Sequence, residues 1–127
     1  MPQSLQNFVD DALTRVKEIP AEDVLTLIGK NGTLILDVRE KEEYDAGHLK
    51  GALNIPRGNL EVKADLEHHK RDPRLADRNQ AIVCYCGGGF RSALSADVLV
   101  KMGFSDVQSM AGGWSAWKEH NFPIETS

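Results

Sequence analysis

Apolar residues at Leu5, Phe8, Val9, Ala12, Leu13 and Val16 recur at spacings of three and four, with Asp10, Asp11, Thr14 and Arg15 between them. The spacing predicts an amphipathic helix that starts after Ser4 and ends near Lys17. Its polar face is acidic, so it is expected to pack on a sheet rather than lie on a membrane surface. A second helix is expected over Ala21 to Gly29, between Pro20 and an Asn31-Gly32 turn. Thr33-Leu34-Ile35-Leu36-Asp37-Val38 and Ala81-Ile82-Val83-Cys84-Tyr85-Cys86 are short β-rich runs without clean polar alternation, the pattern of parallel strands covered on both faces. Between them the chain predicts a helical turn at Glu40 to Ala46, a short strand at Ala52 to Ile55 and a polar helical stretch from Asn59 to Lys70. Beyond them it predicts a helix from Arg91 to Met102 stopped by Gly103, a strand at Asp106 to Ser109 and a last helix from Gly113 to His120. Alternating strands and helices argue for one α/β domain, a mainly parallel sheet between helical layers.

The chain has 127 residues, enough for one compact domain whose core needs no metal or disulfide staple. Its 15 Lys and Arg against 19 Asp and Glu, a formal net charge of -4, provide no basic face for a nucleic acid backbone, so no nucleic acid partner is expected. The amino terminus lacks the basic start and apolar run of a signal peptide, and no stretch is long and apolar enough to span a membrane. A cytoplasmic, reducing location is expected, where both cysteines stay thiols.

The segment Cys84-Tyr85-Cys86-Gly87-Gly88-Gly89-Phe90-Arg91-Ser92 joins the most apolar strand to a helix, at the carboxyl end of the sheet, where open α/β folds bind ligands. With Cys86 as the last strand residue, its sulfur would face the amides of a tight loop and the positive end of the next helix dipole. Both favour thiolate over thiol. Three glycines allow φ > 0 and close backbone approach, so the loop can curl its N–H groups inward around an anion. Arg91 adds a fixed cation at the helix entry.

These residues resemble the rhodanese-like sulfurtransferases. Cys86-Gly87-Gly88-Gly89-Phe90-Arg91-Ser92 is similar to the family's Cys-x-x-Gly-x-Arg-Ser active loop. Asp37-Val38-Arg39-Glu40, Glu43-Tyr44, Gly47-His48-Leu49, Gly51-Ala52 and Asn54-Ile55-Pro56 resemble its first signature, and Gly112-Gly113-Trp114 with Ala116-Trp117 its carboxyl-terminal one. The resemblance runs from about Ile19 to Pro123. It implies a three-layer α/β/α rhodanese-like fold with about five strands, residues 1–127 forming one domain, 1–18 a helical extension and 19–123 the core. It also implies a persulfide mechanism without metal or organic cofactor: Cys86 takes a sulfane sulfur from a small anionic donor such as thiosulfate and passes it to a thiol or cyanide acceptor, a thioredoxin-like or sulfur-relay protein among them. Asp37 is expected to orient Arg91, and Arg39 to orient the donor.

Simpler roles are assigned elsewhere. Cys84 reads as core, on the same side as Cys86 but deeper, and a Cys84–Cys86 disulfide would strain the strand. Cys84, Cys86, His68 and His69 lack zinc-ligand spacing. His48 is expected to make a structural hydrogen bond. Arg57 either flanks the pocket or is a surface cation. Trp114 and Trp117 read as core aromatics, and the glycine run matches no nucleotide-binding motif. Two rival functions remain: a catalytically silent binding module of the same fold, and a cysteine-based phosphatase or arsenate reductase, whose loop typically has five residues between nucleophile and arginine where this chain has four.

Overall fold

A computed structural model describes residues 2–30 and 32–126. In chain order the elements are α1 (Leu5–Ala12), β1 (Lys17–Ile19), α2 (Ala21–Leu27), β2 (Thr33–Asp37), α3 (Lys41–Ala46), β3 (His48–Leu49), β4 (Leu53–Asn54), α4 (Leu60–Ala64), β5 (Ala81–Tyr85), α5 (Phe90–Lys101), β6 (Val107–Met110), α6 (Gly113–Glu119) and β7 (Ile124–Glu125), with short 3₁₀ turns at Arg57–Asn59 and Pro73–Leu75. The main sheet runs in the order β1-β6-β5-β2-β4, and every pairing in it is parallel.

The two apolar runs lie side by side at the centre, Leu34 opposite Ile82 and Leu36 opposite Cys84. Successive strand residues feed opposite cores. Leu36, Ile82 and Cys84 pack with Leu60, Ala96 and Leu99, whereas Ile35, Val83 and Tyr85 pack with Val24, Met110 and Trp117. Because both faces are covered by helices, both sets must be apolar, which is why the runs show no alternation.

Four expectations are corrected. The first helix ends at Ala12, not near Lys17, and Leu5 and Phe8 are exposed while Val9 and Ala12 face inward. Ser4 caps it, accepting from the Asn7 N–H, and the Asn7 side chain returns the bond. Lys17–Ile19 instead forms the edge strand β1, two charged exposed residues and one buried isoleucine, so the expected boundary after residue 18 falls inside a strand of the main sheet. The polar stretch from Asn59 is helical only through Ala64; Asp65 turns extended. A two-stranded antiparallel ribbon, β3 with β7, was not expected. The predicted Asn31-Gly32 turn involves Asn31, which lies outside the described residues; Gly32 has φ +94°.

Among the described residues no helix is long and apolar enough to cross a membrane.

Candidate active site

Cys86 follows one residue past the end of β5, not within it, and is 1% exposed. Its Sγ lies 3.1 Å from the Gly89 N and 3.3 Å from the Ser92 N, both donating, and 3.4 Å from the Ser92 Oγ. The local sequence explains this arrangement. The α5 N-cap is Gly89, in the left-handed conformation (φ +105°), with no side chain to accept the free amides of the first turn. The Cys86 sulfur takes that place, so the N–H at the third helical position caps onto sulfur. Helix polarity and amide direction both favour negative charge there. Of the three glycines only Gly89 has positive φ, so the expected fully curled nest is reduced to two amides and one hydroxyl around the sulfur.

The loop is held from behind. Trp114 N–H donates to the Cys86 carbonyl at 2.7 Å and Ser115 N–H to the Gly87 carbonyl at 3.1 Å, so the first turn of α6 braces the backbone that carries the sulfur. Gly88 and Phe90 are exposed at the mouth.

Arg91 is clamped by Glu43 of α3, with Nη1 to Oε1 at 2.8 Å and Nη2 to Oε2 at 3.2 Å. The Arg91 guanidinium holds the Glu43 carboxyl below the usual carboxylate range, and Glu43 raises Arg91 in turn. Glu43 also accepts from the Glu40 N–H, which joins the clamp to the α3 cap.

The expected roles of Asp37 and Arg39 are corrected. Asp37 is fully buried and does not reach Arg91; it accepts from the Arg39 N–H at 2.9 Å, from the Arg39 guanidinium at 2.8 Å and from the Tyr85 hydroxyl. Arg39 is 2% exposed, donates to the Gly47 carbonyl, and lies 4.7 Å from the Trp114 ring centre and 5.4 Å from that of Tyr85. It serves as a structural brace: Nε and Nη2 are taken up by Asp37 and the Gly47 carbonyl, and the guanidinium lies against two aromatic rings. Arg57 extends to Glu61 at 3.0 Å and is partly exposed.

Cys84 is fully buried in the apolar cluster that also holds Cys86, and burial pushes its thiol up. His68 Nδ1 accepts from the Lys70 N–H and its ring stacks on His69 at the surface, away from both cysteines. His48 contacts the Tyr44 carbonyl through Nδ1 at 2.8 Å and stacks on the Tyr44 ring, a structural contact as expected. Trp117 is fully buried; Trp114 is half-buried, against Arg39 and Gly47. Sequence reasoning missed the role of Glu43, although the Glu40/Glu43 capping pair was a usable signal, and missed Ser109, for which no signal existed.

In this parallel α/β sheet a cysteine caps the helix after the central strand, with two amides and one hydroxyl around its sulfur. The family model of the rhodanese-like domain matches residues 20–120. A thiosulfate sulfurtransferase GlpE of Pseudomonas putida is 36% identical over 115 residues, covering 91% of this chain and 96% of that protein. A tRNA uridine(34) hydroxylase of Onion yellows phytoplasma is 32% identical over 92% of this chain but only 37% of its own length. Among solved structures, a Rhodopseudomonas palustris protein of unknown function described as a possible tyrosine phosphatase superposes with a TM-score of 0.89, at 31% identity, covering 98% of this chain and 99% of that one. The chain belongs to the rhodanese-like domain family, and its resemblance is to a rhodanese-type enzyme.

Proposed function

We propose that this chain is a sulfurtransferase that moves a sulfane sulfur from thiosulfate or a related donor to a thiol or cyanide through a persulfide on Cys86. The Cys86 thiolate attacks the outer sulfur of thiosulfate, a new S–S bond forms, the bond to the sulfonate sulfur breaks, and its electron pair leaves with sulfite. A thiolate or cyanide acceptor then attacks the outer sulfur of the persulfide and restores the Cys86 thiolate. A thioredoxin-like or sulfur-relay protein is a fitting acceptor, and the cytoplasm, where thiols stay reduced, a fitting location.

The observation that carries the proposal is the pair of amides, Gly89 and Ser92, aimed at one sulfur at a helix start. Fixed donors favour the anion on the attacking sulfur without a general base. Arg91, clamped to Glu43, lies against the loop at Gly87, and Phe90 offers an exposed apolar surface beside it.

A phosphatase reading draws on the Rhodopseudomonas palustris structure's description. The four residues between Cys86 and Arg91 weigh against it: they make a smaller loop than the five typical of that chemistry, suited to a sulfur rather than a tetrahedral phosphoryl group. Intact mass after thiosulfate treatment is expected to rise by about one sulfur in the wild type and not in C86S. Absence of the adduct overturns the proposal in favour of a silent binding module. Release of phosphate from an aryl phosphate without sulfite release from thiosulfate overturns it in favour of a phosphatase.

A further inference from the structure

Ser109, on β6, is fully buried, and its hydroxyl has one hydrogen-bond partner among the described residues: Ser92 Oγ, at 2.9 Å. Ser92 Oγ lies 3.4 Å from Cys86 Sγ and 3.2 Å from the Gly89 carbonyl. We propose that Ser109 is a positioning residue that acts through Ser92 to supply the Cys86 thiolate with a third hydrogen-bond donor.

Counting protons leads to this assignment. A serine hydroxyl has one hydrogen and two acceptor sites. With Ser92 as its partner, Ser109 donates its hydrogen there. In the thiol form Cys86 S–H also donates to Ser92 Oγ, both acceptor sites are filled, and the Ser92 hydrogen points to the Gly89 carbonyl. When Cys86 loses its proton, one acceptor site on Ser92 empties, and rotation about the C–O bond turns the Ser92 hydrogen onto the sulfur. The Gly89 carbonyl is not orphaned by this, because it also accepts from the Ala93 N–H at 3.3 Å. Ser109 keeps donating throughout, holds Ser92 Oγ in place, and polarises its O–H toward the anion in a water-poor site. The sulfur then has three donors, the Gly89 N–H, the Ser92 N–H and the Ser92 O–H.

The titratable groups facing the sulfur are Arg91 on α5, its partner Glu43 on α3, and Cys84 on β5. Changing Ser109 alters none of these charges, so a shifted pH profile reports the hydroxyl chain.

The inference rests on Cys86 as nucleophile, but its test uses iodoacetamide alkylation followed by mass, which needs no sulfur transfer. Failure of sulfur loading and failure of this inference are therefore separate results. In S109A the alkylation–pH profile is expected to move to higher pH, with the rate near pH 6 lowered about threefold to tenfold and the high-pH plateau unchanged within about twofold. S92A moves it at least as far, and S109T, which keeps the hydroxyl, returns it toward wild type. If S109A does not fold, S109T against S109V, equal in shape and differing in the hydroxyl, carries the same comparison. Coincident profiles for S109A and wild type, or for S109T and S109V, overturn the proposal and leave Ser109 as packing.

Discussion

Gly113 and Cys86 are packed so closely that a β-carbon on Gly113 would stand 2.4 Å from the Cys86 carbonyl oxygen. It would also come within 2.8 Å of the Gly87 carbonyl, and Gly113 has φ +54°. The start of α6 and the loop carrying the sulfur thus meet backbone to backbone, with no room for a side chain between them. G113A combines strain with a clash against main chain that cannot swing aside, and is expected to cost about 2–3 kcal/mol. Sulfur loading from thiosulfate should fall at least about tenfold at a temperature where the variant is still folded, because a 1 Å misplacement of reacting groups is that costly. G88A is the matched control: it is exposed, and its nearest neighbour would be the Phe90 ring at 3.9 Å. It should cost under about 0.5 kcal/mol and load within about threefold of wild type. Urea denaturation and a mass time course read both. Wild-type loading by folded G113A is the result that would refute the bracing of the loop by α6.

The Glu43–Arg91 clamp gives a second expectation. Both side chains are 40% exposed, so the pair contributes under about 1 kcal/mol to stability after solvent screening. Its larger effect is on position: Arg91 Nη2 sits where a β-carbon on Gly87 would be 3.2 Å away, against the loop itself. E43Q and R91A should each slow sulfur loading about threefold to tenfold with little change in unfolding, and the double variant should be no slower than the worse single one. Multiplying effects in the double variant would mean that the two residues act independently.

Much of the frame was legible in the chain. Ile35 and Leu36, or Val83 and Cys84, are adjacent apolar residues in short β-rich runs, as a strand buried on both faces requires, and they do go to opposite cores. The sulfur's loop was legible because glycine, cysteine and helix start are local facts. The unread parts depend on distant partners. Val16 is in phase with the α1 stripe, yet it packs in the core beside β1, and β1 exists only because Lys17 to Ile19 pair with Gln108 to Met110. Asp37 and Arg39, at a strand end beside the loop, read as groups orienting Arg91 and the donor. Trp114 and Tyr85, remote in sequence, enclose Arg39, and the Tyr85 hydroxyl bonds Asp37, turning the pair into a buried brace. Ser109 is silent in sequence because a serine near a strand end has no pattern that marks a contact with the helix start seventeen residues earlier.

Acid stability provides a third expectation, centred on the docking of α1. Asp97 of α5 is nearly buried and receives Arg15 Nε at 2.6 Å and Lys101 Nζ at 3.1 Å. Arg15, just past α1, also bonds Asp11, so one guanidinium fastens the amino-terminal helix to α5. Its hydrogen bonds, ahead of the Lys101 contact, hold the Asp97 carboxyl below the usual carboxylate range. A carboxyl lowered by folding stabilises the native state above its unfolded value, about 3.9, and loses that contribution as pH falls through the lower native value. D97N should therefore melt about 4 °C below wild type at pH 7, a modest figure because Arg15 is a third exposed. The gap should narrow below about pH 4, where Asp97 of the unfolded chain takes up its proton first, and should close as pH falls through the lower native value. Melting curves for both proteins between pH 7 and pH 3 make the comparison. A gap that stays constant down to pH 3 would assign the loss to packing rather than charge, and the fastening of α1 would then have to come from Val9 and Ala12 alone.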